Sequence, residues 1–351
     1  MLDVGLIGFG LAGRYFHAPV IRAVEGLRLA AILQRSGDSA AQAYPDSRVV
    51  RTLDELLSID SLRLIVIAAP NQSHFPLARL GLEAGRHVVV DKPFTTSVAE
   101  ALELIELAKQ RDRILTVYHN RRFDADFQAL RQLASTGELG RIVRFENTYD
   151  RFRPLAKPGA WREKPGPGSG VLFDLAPHLL DQALMLFGEP LALTADIRIE
   201  RRGLFTDDAF DLLLHYPEGS RALLRATMLA ATPRPRFVVL AEKGSYLKRD
   251  FDPLEPTLRQ GHVPPAGASW ALEKEDNWGQ LTLVNGNAVS TRKIQSFGDW
   301  RDFYSNLRDA ILGKAAPLVT PHQALSVMLA LELALESQQK CATVPWPSIQ
   351  V

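Results

Sequence analysis

The sequence predicts an α/β protein: an N-terminal doubly wound parallel sheet, then an α+β domain with a large, mostly antiparallel, open-faced sheet. Three observations lead there. Residues 1–120 alternate short apolar strand signals with helix signals, the grammar of a parallel sheet. A glycine-rich turn at residues 8–13 separates the first strand from the first helix. Beyond residue 120, strands come in pairs joined by tight-turn residues, which is antiparallel grammar. A chain of 351 residues accommodates two cores, so domains of residues 1–120 and 121–351 are expected.

Leu2–Ile7 reads as a buried strand, and the helix after the glycine turn runs through Val24 to a stop at Gly26. Leu27–Leu33 is the second strand. Thr52 and Glu55 have capping-box spacing, in which two side chains satisfy orphan N–H groups at a helix start. Residues 64–68 form a further strand, followed by a helix that Gly85 stops. His87–Val90, a helix opened by Ser97 and Glu100, and residues 114–117 complete the series. Short runs of Val, Ile and Leu suit strands covered on both faces. In the second half, residues 211–216 and 221–228 flank Pro217-Glu218-Gly219, and Phe237–Ala241 and residues 245–248 flank Lys243-Gly244. Residues 281–284 run into Asn285-Gly286, a hairpin signal because both residues tolerate positive φ. Trp300, Phe303, Leu307 and Ile311 share one helical face. Thr320-Pro321 with Gln323 opens a last helix that reaches Lys340.

Composition narrows the function. Apolar residues make up 46% and charged residues 23%, ordinary for a globular protein. A net charge of +1 supplies no field for nucleic acid or an anionic membrane. No uninterrupted apolar run approaches the ~20 residues that span a bilayer. Neither nucleic acid nor membrane is therefore an expected partner. Cys341 is the one cysteine, so no intrachain disulfide forms, in keeping with a reducing compartment. The first strand begins at once, which leaves no room for a signal peptide, and a cytoplasmic protein is expected. No metal ligand set is expected.

Gly8-Phe9-Gly10-Leu11-Ala12-Gly13 is G-x-G-x-x-G. The first glycine permits the turn, the second lets backbone approach a pyrophosphate, and the third lets helix pack on strand. The motif alone also fits a structural turn or a methyltransferase. Its place after a strand, before a helix and at the head of a β/α series points to a dinucleotide. NAD enzymes usually place a carboxylate at the end of the second strand to accept from the ribose 2′-OH. Gln34-Arg35-Ser36 stands there instead. Arg35 suits a 2′-phosphate and Ser36 can donate to it, which favours NADP over NAD. A solvated loop arginine is the alternative for Arg35.

These residues lead to a family. The chain resembles the Gfo/Idh/MocA oxidoreductases along essentially its whole length. The resemblance is carried in order by the 8–13 turn, Pro70-Asn71-Gln72-Ser73-His74, His87-Val88-Val89-Val90-Asp91-Lys92-Pro93, Asn120-Arg121-Arg122-Phe123 and residues 168–181. Phe16-His17-Ala18-Pro19, Asp91-Lys92-Pro93-Phe94, Asp150-Arg151-Phe152-Arg153-Pro154 and residues 174–182 make it most similar to the scyllo-inositol dehydrogenase-like branch. The resemblance implies an enzyme that moves a hydride between NAD(P) and a secondary alcohol or ketone of a cyclic polyol or sugar, scyllo-inositol first. It implies cofactor contacts at Gly8, Phe9, Gly10, Gly13, Pro70, Asn71, His74, Lys92 and Asn120, although Asn71, His74 and Asn120 equally suit turn residues that hold local backbone. It also implies a homodimer, or a dimer of dimers, paired through the open sheet face. Two positions depart from the family pattern. Asp91 replaces the usual Glu, keeping the charge and shortening the reach. Pro177 replaces a small residue, and either sits in the first helical turn or kinks the helix.

Asp174 and His178 are four apart, which sets both on one helix face after a Gly/Pro-rich loop. By itself the pair also describes a core histidine held by hydrogen bonds. Lys92 follows a strand end, where open α/β sheets bind ligands, although a lysine there is also an ordinary surface charge. The resemblance assigns all three to catalysis. His178 is the base for the hydroxyl proton, Asp174 holds a second hydroxyl and orients His178, and Lys92 donates to the reacting oxygen. Base duty stays undivided between His178 and Lys92. Arg151, Arg153, Trp161 and Arg162 are candidates to line the substrate pocket, and each equally suits a structural or solvated role. His119 and Asp181 read as structural. Two other classes compete: a non-catalytic dinucleotide-binding sensor and a methyltransferase. Retention of Lys92, Asp174 and His178 argues against the first, and the hairpin-rich second half against the second.

Overall fold

The computed structural model describes the chain except residues 157, 158, 160, 266 and 349–351, and the Trp161 side chain also lies outside the described residues. In chain order the first elements are β1 (Leu2–Ile7), α1 (Ala18–Arg22), β2 (Leu27–Leu33), α2 (Ser39–Ala43), β3 (Arg48–Val50), α3 (Leu53–Leu57), β4 (Leu62–Ile67), α4 (His74–Glu83), β5 (His87–Val90), α5 (Val98–Gln110) and β6 (Leu115–Val117). Then come α6 (Ala125–Thr136), β7 (Ile142–Thr148), α7 (Gly170–Phe187), β8 (Ala192–Arg198), β9 (Ala209–His215), β10 (Arg221–Thr227), β11 (Phe237–Ala241) and β12 (Gly244–Lys248). The chain closes with α8 (Leu254–Arg259), β13 (Gly279–Asn285), β14 (Ala288–Ile294), α9 (Arg301–Ile311), α10 (Pro321–Lys340) and β15 (Val344–Pro345).

One compact unit comprises Met1–Phe123, Pro253–Leu272 and Asp299–Leu325. Its sheet has six parallel strands in the order β3-β2-β1-β4-β5-β6, the order of dinucleotide-binding doubly wound sheets. Val4, Leu6, Val66 and Val89 lie in its core, because such a sheet is covered on both faces. The expected strands are present. The short elements β3 and α2 carried no legible period, with three and five residues.

The helix starts follow the capping chemistry with a shift. Ser97 accepts the Glu100 N–H at 3.3 Å, but the Glu100 carboxylate returns to the Thr96 N–H, at 2.9 Å. Likewise Thr52 accepts from Glu55 while the Glu55 carboxylate takes the Arg51 N–H. The box opening α10 is reciprocal: Gln323 N–H to Thr320 Oγ1 at 3.2 Å, and Thr320 N–H to Gln323 Oε1 at 3.1 Å.

The division expected at residue 120 is corrected for two later stretches, which fold into this first unit. Trp300 and the α9 residues Phe303, Tyr304 and Leu307 share a core with Val20, Tyr118 and Phe123. Arg121 pairs with Glu255, and Arg122 donates to the Leu318 carbonyl at 3.1 Å and to Gln323 Oε1 at 2.8 Å. The physical cause is an aromatic helix face that is buried there and two buried guanidinium groups that find partners there.

The other unit comprises Asp124–Asp252, Glu273–Gly298 and Ser326–Val351. Its nine-stranded sheet runs β14-β13-β12-β11-β7-β10-β9-β8-β15. Only β7 and β10 pair in parallel; the other described pairs are antiparallel. Strand alternation buries Phe210, Leu212, Leu214, Ala222 and Leu224, on strands that α7 packs against. Asp211, Leu213, Arg221, Leu223 and Arg225 alternate with them and stay half-exposed. Asn285 pairs with Ala288, so the β13–β14 loop is Gly286-Asn287, one residue later than expected. Among the described residues α7 is the one helix long and apolar enough to cross a membrane, and 72% of that window is buried in the protein. Pro177 lies inside α7 rather than in its first turn, and removes the N–H that would meet the Phe173 carbonyl.

Candidate active site

Parallel strands all end on one edge. Gly8 follows β1, Arg35 comes just past β2, Pro70 and Asn71 follow β4, Asp91 and Lys92 follow β5, and Asn120 comes after β6. The cofactor candidates therefore gather at the carboxyl edge, where open α/β sheets hold ligands. The glycine turn fits a pyrophosphate. A Cβ on Gly8 would come within 2.4 Å of the Ala68 carbonyl oxygen, and one on Gly13 within 2.0 Å of the Gly8 oxygen. Gly10 has nothing within 4 Å of its Cβ position. The outer glycines close the turn, and the middle one leaves backbone open to an anion. Phe9 packs edge-on against Tyr44, ring centroids 5.8 Å apart. A π-helical segment, Gly13–His17, leads into α1.

Arg35 and Ser36 are exposed in the loop after β2. Gln34 and Arg51, the latter flagged by no motif, build that loop. Gln34 Oε1 accepts the Ala40 N–H at 2.8 Å. Arg51 donates to the Gln34 and Gly37 carbonyls at 2.9 and 2.6 Å and to Asp38 at 2.8 Å. Arg51 is thus committed to loop backbone and Asp38, while Arg35 is exposed.

The segment after β5 is braced from two sides. Asp91 Oδ1 accepts the Lys92 N–H at 2.9 Å. Burial alone would raise the Asp91 carboxyl, but contacts with His17, Lys92 and His74 outweigh it and hold it below the usual value. His17 is fully buried, with Nδ1 2.5 Å from the Tyr304 hydroxyl and Nε2 3.8 Å from Asp91 Oδ1. His74, also fully buried, sets Nδ1 2.7 Å from the Pro93 carbonyl and Nε2 2.9 Å from the Ala69 carbonyl. Its burial pushes its pKa down. The His74 ring therefore sits between the β4 and β5 loops, facing a backbone carbonyl of each, and its single N–H donates to one of them. The Lys92–Pro93 peptide is cis. Asn71 and Asn120 are both buried at this edge, and Lys92 is half-exposed.

In the second unit, α7 carries Asp174 and His178 one turn apart; His178 is buried and Asp174 half-exposed. Arg162 Nε lies 3.2 Å from Asp174 Oδ1, and Arg151 Nη1 lies 3.8 Å from Oδ2. Two of the four pocket candidates thus meet at one carboxylate. Arg151 also donates to the Tyr149 hydroxyl at 3.2 Å and stacks over that ring at 4.7 Å. Arg153 is exposed and contributes its carbonyl, which accepts from Arg201 at 3.1 Å. Trp161 opens a short 3-10 turn, Trp161–Glu163, and its side chain is outside the described residues.

Three groups that support α7 escaped the sequence reading. Arg236, fully buried, donates to Gln182 Oε1 at 2.9 Å and to the Thr148 carbonyl at 3.2 Å, and pairs with Asp126 at 3.3 Å. Arg201 pairs with Asp208 at 2.8 Å and Glu163 at 3.2 Å, tying down the segment before α7. Asp207 caps the helix itself: its carboxylate accepts the Leu172 N–H at 2.6 Å, and its carbonyl the Val171 N–H at 3.0 Å. A Cβ on Gly170 would lie 1.9 Å from Asp207 Oδ1. Burial raises the Asp207 carboxyl to about 6 despite these N–H groups. In sequence each arginine looks like any surface arginine. Among the described residues no group of His, Cys, Asp or Glu could hold a metal ion.

Comparison with known proteins agrees along the whole chain. Residues 2–119 match the family model described as an oxidoreductase family with an NAD-binding Rossmann fold, and residues 127–247 match the GFO/IDH/MocA C-terminal domain. The chain is 43% identical to the uncharacterized oxidoreductase YdgJ of Escherichia coli, over 98% of each chain. It is 32% identical to the scyllo-inositol 2-dehydrogenase (NADP(+)) IolW of Bacillus subtilis, over 98% of this chain and 95% of that one. Among solved structures, YPO2259 of Yersinia pestis matches with a TM-score of 0.93 and 40% identity, over 99% of this chain and 98% of that one.

Proposed function

The chain belongs to the Gfo/Idh/MocA oxidoreductase family, and from that premise we propose that it transfers a hydride between NADP and a secondary alcohol or ketone of a cyclic polyol or sugar. Scyllo-inositol and its ketone are the first pair to test, since a relative of nearly equal length bears that name. The observation that carries the reading is the braced Asp91–Lys92 segment on the same sheet edge as the glycine turn. The lack of a carboxylate directly at the end of β2, where Gln34 and Arg35 stand, and the exposure of Arg35 there support NADP.

A bound NADP supplies the hydride acceptor. The chain does the rest. Lys92 donates to the reacting oxygen and stabilises negative charge as it develops. His178 takes the hydroxyl proton in oxidation and returns it in reduction. Asp174, held by Arg151 and Arg162, accepts from a second hydroxyl and fixes the alcohol's orientation. With the dinucleotide there to take the hydride, the alcohol would give its hydroxyl proton to His178 and leave as the ketone. The first unit serves the dinucleotide, and the second the substrate and assembly. The same reading takes the protein as a cytoplasmic homodimer, or a dimer of dimers, paired through the half-exposed sheet face.

The test is the NAD(P)H absorbance change with a panel of inositols and aldoses, NADP and NAD side by side. Turnover with NADP is expected in the native protein, with losses of about a hundredfold in Lys92→Ala and His178→Ala at intact dinucleotide binding. Near-normal turnover in His178→Ala would remove it from the base role. Dinucleotide binding with no turnover on a widened ketone and aldehyde panel would favour a sensor.

A further inference from the structure

We propose that His17 is a positioning residue for Lys92, acting through the Asp91 carboxylate, with Tyr304 setting its tautomer. The proposal rests on the reading of Lys92 as the active-site lysine. His17 and Tyr304 are both fully buried, so their polar atoms need partners within the protein. The Tyr304 hydroxyl sits 2.5 Å from His17 Nδ1. With that hydroxyl donating, Nε2 carries the ring proton. Nε2 faces Asp91 Oδ1 at 3.8 Å, and the same oxygen accepts the Lys92 backbone N–H at 2.9 Å. A chain of polar contacts thus runs from α9 through His17 to the backbone of Lys92.

The local geometry supports a working contact. His17 ends a π-helical segment that begins at Gly13, and such segments are rare and concentrate at functional sites. That segment starts on the last glycine of the phosphate turn, so one short stretch of backbone sets both the turn and the Asp91 contact. Asp91 has one methylene fewer than a glutamate, which keeps its carboxylate close to its own backbone and to the Lys92 N–H. Rotation about its χ1 would break that bond, and the buried Nε2 N–H, at 3.8 Å an electrostatic contact and not a hydrogen bond, favours the carboxylate where it stands. The groups facing His17 are Asp91, Tyr304 and the Tyr118 ring, whose centroid lies 4.4 Å away. Those facing Asp91 are His17, Lys92, His74 and the Tyr304 hydroxyl.

Two measurements test this, one of them independent of any substrate. The Asp91 carboxyl is titrated by 13C NMR in the native protein, His17→Ala, His17→Gln and Tyr304→Phe. In His17→Ala its midpoint moves to higher pH, because a contact that favours the ionised form is gone. The Gln amide, which also donates, returns it toward the native value. With scyllo-inositol and NADP, kcat of His17→Ala falls about tenfold to a hundredfold, as a displaced catalytic group would cause, while the NADPH dissociation constant holds within about twofold. The acid limb of its pH profile follows the Asp91 midpoint, and His17→Gln recovers most of kcat. If His17→Ala does not fold, His17→Gln against Tyr304→Phe carries the comparison, with Tyr304→Phe showing the upward shift. An Asp91 midpoint unmoved by the variants overturns the proposal, with or without turnover. So does a fall in kcat that His17→Gln fails to rescue. Full turnover in Lys92→Ala overturns the reading of Lys92 itself. Loss in Lys92→Ala beside a native profile in His17→Ala overturns the role of His17 alone.

Discussion

Arg35 and Arg51 belong to one loop, and only their surroundings separate them. Arg51 spends its donors on the Gln34 and Gly37 carbonyls and Asp38. Arg35 is exposed, with its guanidinium available to a 2′-phosphate. Arg35→Ala is therefore expected to cost NADPH about 1.5 kcal/mol, roughly tenfold in its dissociation constant, and to leave NADH nearly unchanged. Equal constants for the two cofactors in the native protein, unaffected by the substitution, would reject NADP preference. The loop arginine at 35 was legible from the missing carboxylate. Arg51 was not, because no local pattern says which of two nearby arginines bonds backbone. His74 makes the same point. Its motif suited a cofactor contact or a turn residue holding backbone, and the structure aims both ring nitrogens at carbonyl oxygens.

At the scale of elements, two buried groups set opposite pH dependences. His87 in β5 accepts the Ile114 N–H on Nδ1 at 3.0 Å. Burial, then Arg113 and Arg63, lower its pKa to about 4. Its contribution is complete above the ordinary value of 6.5 and is lost as pH falls toward about 4. Asp207 at the start of α7 behaves conversely. Burial raises it to about 6, so its contribution is complete below the ordinary 3.8 and is lost as pH rises through about 6. Between pH 7 and 5 His87 is worth about 2 kcal/mol and Asp207 about 1 kcal/mol, with opposite signs that largely offset. The native urea midpoint should thus move little from these two groups. Asp207→Asn, which keeps an acceptor for the Leu172 N–H, should make the protein more acid-sensitive, and His87→Gln less so. Variants that track the native pH dependence would show that neither group titrates as described. Most elements were legible from apolar period and capping residues. The anchor of α7 was not, since Asp207 reaches it from the loop before β9.

At the scale of the molecule, the second unit's sheet leaves one face half-exposed. Leu223 pairs across strands with Leu213 there, amid ion pairs such as Arg225–Asp211 and Arg198–Asp211. An isologous dimer covers such a face. Solution scattering at micromolar concentration is expected to give at least twice the 38.9 kDa chain mass, and Leu223→Glu should shift it toward the monomer. A native monomer would refute pairing. By itself the sequence determined the α/β class, the parallel strand series, the glycine turn, the strand-end position of Lys92 and the shared helix face of Asp174 and His178. All are local: each is written in a spacing of a few residues that backbone geometry converts directly into place. Only the tertiary structure decided that residues 253–272 and 299–325 join the first unit, that Arg201 and Arg236 are buried, and that His17 meets Tyr304 from 287 positions away. Those outcomes turn on which polar groups lose water together, and desolvation is a property of the folded neighbourhood that no stretch of sequence carries alone.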